Sequence, residues 1–487
     1  MPALGLGIGI PFRRMGAGID AQAQAHYNRV IADGGLIPSG LVGVNNFFKT
    51  VKGIYGTSDI TTAISVGLDA QVLGYKLGAG AGTTAGQAAQ KLYSCSGSSG
   101  DVVQTTAASQ PLLLVHSGAN SLYVPNIDGN NCTTPDAVIN RISGDIEIIS
   151  YIEAKGTQAD RTIISKGTTA DADYLLAVST SNIPYFVNGD LNLLNATAAL
   201  PNVNTWLRVT RVSSTGDIKF WTSTDSKTTE PLSVNWTQLG TTVSGPTGAR
   251  TTTTGVVTVG KYSAYTSNSF NGSIFRVTIS NSIGGTPVVD FNPNQYNAAN
   301  SQTQWTSSTG EIWSIQTGTA TTGYKGQIVT KTTTQGDGVD DLMRVGSLPN
   351  KQYFSLYLAA NGFSSAGNVA LFNGDVGDRH LIFQTSAASI SAFNGTSLPF
   401  VGEVANRLYL ATVNFNNTSS DVLYNNANKQ TGATGTGTST GYCIFGGTGN
   451  GFSNVIVNTV LGTTSVNTTT QNTDVYNYIK SINNNAF

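Results

Sequence analysis

Charge is scarce in this chain: Asp, Glu, Lys and Arg together make up 11% of its 487 residues, and the formal net charge is −1. No global field therefore draws it to nucleic acid or to an anionic membrane surface, and its Lys and Arg are scattered with no basic stripe. Cysteine is nearly absent. Cys95, Cys132 and Cys443 are odd in number and far apart, which excludes a full disulfide framework and a zinc-site spacing. Buried free thiols are the expectation, with a Cys132–Cys443 bridge as the alternative. Long hydrophobic runs are missing too, so no segment can span a bilayer as a helix. Leu4–Ile10 is short, has no basic leader and runs into Pro11-Phe12-Arg13-Arg14, so export by the standard secretory route is not expected. The glycine-rich runs at 78–86 and 446–451 lack the Lys-Ser/Thr of a phosphate loop.

What is abundant is glycine, at 56 residues, with Thr, Ser and Asn crowded around it. That balance fits an extracellular or virion-type β protein better than a cytosolic helical enzyme. The stretch Thr205–Thr222 reads as two strands around a turn. Trp206, Val209, Val212, Phe220 and Trp221 supply bulk, Arg208, Thr210, Arg211 and Lys219 supply polar positions, and Gly216 is free to take positive φ. In Phe270–Ser280, Phe275, Val277 and Ile279 alternate with Arg276, Thr278 and Ser280. Two such pieces predict opposed sheets of one β-sandwich.

Near the start, Leu4, Leu6, Ile8 and Ile10 alternate with glycine and lead to Phe12. They read either as an anchor docking on a partner by strand addition or groove filling, or as a free terminus or strand of the chain's own domain. Asp20–Asp33 predicts a helix capped by Asp20 and stopped by Gly34-Gly35, with Ile19, Ala23, Tyr27 and Val30 in a stripe. Ser39–Tyr55 predicts a second, with Val44, Phe47, Phe48, Val51 and Ile54 on one face. From Leu112 to about Pro293 many short alternating runs lie between turn signals, and from about Ile312 the pattern restarts. Asn271–Val277 is echoed by Phe452–Val457, Val259-Gly260 by Phe445-Gly446, and Asn126–Gly129 by Gln335–Gly338, which reads as an internal duplication. Thr473–Asn483 predicts a closing helix.

Several of these runs resemble a known family. Asp128-Gly129-Asn130-Asn131-Cys132-Thr133-Thr134-Pro135-Asp136, Ser143–Ile148, Ile163–Lys166, Tyr174–Leu176 and Asn204–Trp206 follow one another as in the laminin-G-like, concanavalin A-like jelly-roll modules of tailed-phage virion proteins. Gly336–Leu342 is similar to the opening strand of the same module. Lys91–Tyr93, Asp101–Pro111, Asp20–Ala23 and Asn28–Gly35 resemble the lead-in and helical portions of such proteins. The second module lacks the Trp and the Ser-Lys pair. The resemblance implies a jelly-roll fold and a place in a virion, as a fibre, spike, decoration or tail component, and it implies no single ligand.

Chemistry is sparse. Glu147 and Asp145 share a strand face, but Ile149 and Tyr151 follow where a glycosidase would carry on with acids, so solvated residues near a strand start are the expectation. His26, His116 and His380 have no nucleophile elbow or ligand partner at the required spacing. Asp337, Asp340 and Asp341 cluster with glycines and offer hard oxygens, making calcium the one cofactor to consider, without a full ligand set.

The expectation is therefore a mainly β chain. It consists of an N-terminal anchor and helical region (1–110), a first jelly-roll sandwich (111–311), and a second with a C-terminal helix (312–487). The leading function is a non-enzymatic virion structural protein, docked on capsid, portal or tail through Leu4, Leu6, Ile8, Ile10 and Phe12, and homo-oligomeric. The alternative is a receptor-binding protein holding host glycans on Trp236, Tyr262 and Tyr265, and a weaker one is a polysaccharide-degrading enzyme.

Overall fold

The computed structural model describes residues 18–485 except 79–87, 117, 125–130, 155–160, 168–171, 190–191, 203, 263–268, 298–301, 317–326, 336–341, 346–353, 362–368, 375–379, 387–388, 402–407, 440 and 446–455. Two helices come first. In α1 (Ala21–Ala32) the Asp20 carboxylate accepts the N–H groups of Gln22 and Ala23, and Gly34 ends the helix at φ +76°. In α2 (Gly40–Tyr55) the expected stripe of Val44, Phe47, Phe48 and Val51 is buried. Each of those side chains contributes about 1.5–3 kcal/mol by leaving water.

Short strands follow: β1 (Ile64–Leu68), β2 (Tyr75–Gly78), β3 (Ala88–Leu92), β4 (Val102–Val103) and β5 (Leu112–Leu114). A long run of hairpins comes next: β6 (Ser121–Val124), β7 (Asn131–Thr134), β8 (Ile146–Ala154), β9 (Arg161–Gly167), β10 (Ala172–Val178), β11 (Pro184–Val187), β12 (Leu194–Asn195), β13 (Asn204–Arg211), β14 (Asp217–Ser223), β15 (Thr237–Ser244), β16 (Val257–Val259) and β17 (Gly272–Ser280). A second short group is β18 (Val289–Phe291), β19 (Gln304–Thr306), β20 (Ile312–Gln316) and β21 (Gln327–Val329). The last run is β22 (Thr333–Gln335), β23 (Met343–Val345), β24 (Phe354–Asn361), β25 (Val369–Gly374), β26 (Leu381–Ser386), β27 (Ser389–Phe393), β28 (Ser397–Val401), β29 (Leu408–Phe415), β30 (Ser420–Tyr424), β31 (Ala427–Gly432), β32 (Tyr442–Ile444) and β33 (Ile456–Thr463). Then comes α3 (Thr469–Ile482), boxed at its start by Thr468 and Gln471.

These strands build two jelly-roll sandwiches of one design. In the first, the sheet β15-β14-β13-β8-β17-β6-β21, with β18 also on β17, faces the sheet β12-β11-β10-β9-β16-β7-β20-β19. Ile148, Leu207, Val209, Phe220, Val277 and Ile279 from one sheet meet Ile164, Leu176, Phe186, Val257 and Val259 from the other in one core. The second sandwich repeats the order as β31-β30-β29-β24-β33-β22-β5, with β1 on β33, over β28-β27-β26-β25-β32-β23-β4-β3. Thus β17 and β33 hold one position, as do β16 and β32; the described parts of two sequence echoes, Asn271–Val277 with Ile456-Val457 and Val259-Gly260 with Phe445, fall at these places, and 446 and 452–455 lie outside the described residues. Of the third echo, 126–129 and 336–338 lie outside the described residues.

The pairing corrects the expected division at 110/111 and 311/312. β19, β20 and β21 belong to the first sandwich, where they pair with β7 and β6. Their counterparts in the second sandwich are β3, β4 and β5, which come before the first sandwich in the chain. The first sandwich is therefore inserted in the second, and the second is a circular permutation of the first. The N-terminal helices do not stand apart either. Val44, Phe47 and Phe48 pack with Val475 and Ile479 of α3 on Tyr357, Leu410 and Leu461 of the second sandwich. Docking of the leader at Leu4, Leu6, Ile8, Ile10 and Phe12 lies outside the described residues.

The Thr205–Thr222 hairpin forms as β13 and β14. Gly216 takes φ +75°, and a Cβ there would sit 2.2 Å from the Gly245 carbonyl oxygen. The expected opposition of this hairpin to Phe270–Ser280 is corrected: β13 and β17 flank β8 in the same sheet. The long intervening segment, which sequence alone could not route, returns the chain to its own sheet. A bulge between Ile274 and Arg276 also turns Phe275 from the core to the outer face, against Tyr151 at 5.6 Å.

Candidate recognition cleft on the first sandwich

The outer face of the β8-containing sheet is where polar chemistry collects. Strand alternation puts Glu147, Ile149, Tyr151 and Glu153 of β8 beside Trp206 and Arg208 of β13 and Arg276 and Thr278 of β17. Trp206 and Trp221 thus lie on the outer face with Arg208, not in the core with Val209 and Phe220. The segment between β14 and β15 folds over them. Trp206 Nε1 donates to the Ser226 carbonyl at 3.0 Å, Val234 is buried against Ile149 and Trp206, and Lys227 pairs with Glu153 at 2.6 Å. The Arg208 guanidinium lies 5.6 Å from both the Trp221 and the Trp236 rings and is ion-paired with Glu147.

Beyond this segment the face opens into a cleft of about 330 Å³. Arg276, Thr278 and Asp290 line its floor, and the turns 230–232, 286–287 and 308–309 rim it. Asp290 reaches the outer face because β18 pairs with β17 and sets it opposite Thr278. Its side chain is 3% exposed and touches Arg276 twice, Nε to Oδ1 at 2.7 Å and Nη2 to Oδ2 at 3.1 Å. Ser308 Oγ donates to Oδ2 at 2.8 Å. Burial pushes the Asp290 carboxyl above the usual range, against the pull of Arg276 and Ser308. Glu230 is 74% exposed and lies 3.7 Å from Arg276 Nη2. Leu232 stands on the rim, largely in water.

The residues singled out from sequence scatter. Trp236 is half-buried, stacked on Arg208 beside this face. Tyr262 is 2% exposed, packed with Leu175, Tyr185 and Val187, so its ring offers no open platform. Tyr265 and the candidate calcium residues Asp337, Asp340 and Asp341 lie outside the described residues. Among the described residues no group of three or more His, Cys, Asp or Glu could hold a metal ion. Nor, among them, is any helix long and apolar enough to cross a membrane.

Glu147, expected to be solvated, is 1% exposed instead, held by Arg208 and by the Gly284 N–H at 3.0 Å. Asp145 accepts from Ser213 N and Oγ. His380 is buried between the Phe354 and Phe415 rings. The cysteines are buried and free. Sequence reasoning missed Asp290. Its one signal was an acid inside the apolar run Val288-Val289-Asp290-Phe291, no more conspicuous than the charges within β8, β9, β10 and β13.

No family model matches this sequence, and no curated protein does. Solved structures that resemble it include mouse laminin α1 chain domains LG4-5, 8% identical with a TM-score of 0.29, covering 73% of this chain and 96% of that one. The LG1-3 region of the laminin α2 chain is 9% identical with a TM-score of 0.28, covering 78% and 68%. The CBM40 of Ruminococcus gnavus IT-sialidase, bound to α2,3-sialyllactose, is 13% identical with a TM-score of 0.25, covering 32% and 89%. Similarity this low carries no ligand or residue role across to this chain.

Proposed function

We propose that this chain is a non-catalytic saccharide-recognition protein whose first jelly roll binds glycan in the Arg276–Asp290 cleft. One observation carries the reading: a single opening combines a charged donor, carboxylate acceptors and the hydroxyls of Thr278, Ser308 and Thr309 with apolar walls from Pro231, Leu232 and Pro287. Sugars need that combination, because each ring presents hydroxyls that both donate and accept and C–H faces that prefer apolar contact. Binding rather than hydrolysis is favoured by Arg276. Its guanidinium contacts both Asp290 and Glu230, and so occupies the gap that a scissile oxygen would need between two carboxyl groups.

A printed glycan array, followed by calorimetry on the hits, tests this. Leu232→Asp, a change on an exposed rim, should weaken a hit at least about tenfold without altering the thermal transition, a loss of about 1.4 kcal/mol. An array without hits, or reducing-sugar release abolished by Asp290→Asn, would overturn the proposal. A second proposal rests on the ordered motifs from Asp128 to Trp206: that the protein works as a homo-oligomeric virion component, joined to other virion proteins through its leader. Immunogold labelling of intact particles tests it, and absence of label on head, tail and fibre alike would end it.

A further inference from the structure

The cleft's charges say which saccharides it should take. Arg276 is the one cation among its lining residues, and that charge is already committed to Asp290 at 2.7 and 3.1 Å, with Glu230 at 3.7 Å. Glu311 adds a further negative charge close enough to act on Asp290. Two other cations on the same sheet face are also paired, Lys227 with Glu153 and Arg208 with Glu147. The cleft is thus net acidic, with its donors arranged around acceptors.

We infer that the cleft is selective for neutral saccharides and rejects uronate-bearing or sialylated ones, an inference that rests on the saccharide reading above. An acidic sugar has two ways in, and both are costly. It can approach while Arg276 stays on Asp290, and be repelled by Glu230 and Glu311, which that one cation does not neutralise. Or it can draw Arg276 to itself and strand the Asp290 carboxylate, 3% exposed, without its counter-charge. A neutral sugar disturbs neither: its hydroxyls donate to the exposed Glu230 carboxylate and to the Ser308 and Thr309 hydroxyl oxygens, whose own protons are spent on Asp290 and Glu311, and accept from Thr278 and Arg276. Glu230 sets the outer part of this selectivity, and at 74% exposed it can be altered without disturbing the fold.

The test is calorimetry on the full chain with matched tetrasaccharides: β-1,4-galactotetraose, cellotetraose and maltotetraose, each against its C6-oxidised counterpart. The neutral member of a binding pair should bind at least about tenfold tighter in 20 mM salt, and the gap should narrow in 500 mM salt. Glu230→Gln should narrow the ratio of neutral to oxidised affinity about fivefold within a binding pair. An oxidised member that binds as tightly as its neutral partner, or a gap unmoved in Glu230→Gln, overturns the charge selection while leaving glycan binding intact. No binding by any member of the panel, together with an empty array, overturns both.

Discussion

Lys331 and Asp69, 262 residues apart in sequence, meet in a buried ion pair at 2.5 Å. Thr459 Oγ1 donates to the same Asp69 oxygen at 2.7 Å, and Asn483 Oδ1 lies 3.3 Å from Lys331 Nζ. Asp69 also accepts the N–H groups of Gln71 and Val72 at 3.0 Å. One pair therefore ties together the turn after β1, the linker that leads out of the first sandwich, the central strand β33 and the end of α3. Lys331→Met leaves that carboxylate buried without its counter-charge, and should cost about 3–5 kcal/mol. Urea denaturation measures it; a loss below about 1 kcal/mol would show that the junction does not depend on this pair.

The inserted topology makes the two sandwiches unequal in isolation. A fragment of residues 119–329 contains every strand of the first sandwich and should fold alone, with a cooperative thermal transition and native-like near-ultraviolet dichroism. Deleting residues 18–114 from the full chain removes β3, β4 and β5 and bares the edges of β22 and β23. That variant should aggregate, because unpaired edges seek other strands. A monomeric, cooperatively folding second sandwich without residues 18–114 would contradict the assigned pairing.

Acid should loosen the helical layer through His26. Its Nε2 donates to the Leu73 carbonyl at 2.8 Å, and Arg29 donates to Nδ1 at 3.4 Å, so the ring is held neutral. Burial lowers its pKa from 6.5 to about 4. Between those values the unfolded chain binds a proton that the folded chain refuses. Its contribution is therefore intact above pH 6.5 and lost as pH falls toward 4, by up to about 3 kcal/mol. His26→Gln should flatten the stability-against-pH curve across that window relative to the parent protein. Parallel curves would remove His26 from the account.

Glu147 should prove to be a structural carboxylate. Glu147→Gln removes the counter-charge of an Arg208 set between two tryptophans, and should lower stability by about 2 kcal/mol and shift the tryptophan emission. Polysaccharide hydrolysis that is present in the parent and lost in this variant would instead make Glu147 catalytic.

Local elements were legible in the sequence because their causes are local. Asp20, Gly34 and the Val44–Val51 stripe mark the helices through capping and periodicity, and Gly216 marks its turn through a backbone angle. The β-sandwich class followed from alternation repeated along the chain and the doubling from the paired echoes, while the jelly-roll topology was implied by the resemblance of the ordered motifs. Partner choice was not legible. Strand edges offer the same N–H and C=O groups whatever their side chains, so nothing in residues 88–114 announces that they complete a sandwich whose remaining strands begin at Thr333. The cleft was hidden for the same reason. Arg276, Asp290 and Ser308 are unremarkable polar residues in sequence, and become a site once β18 pairs with β17 and the β19–β20 turn reaches over them. Strands, caps and turns could be read from the residues alone, since those depend on near neighbours. Which edges join and which charges are buried together emerged on folding, since both depend on segments brought together from far along the chain.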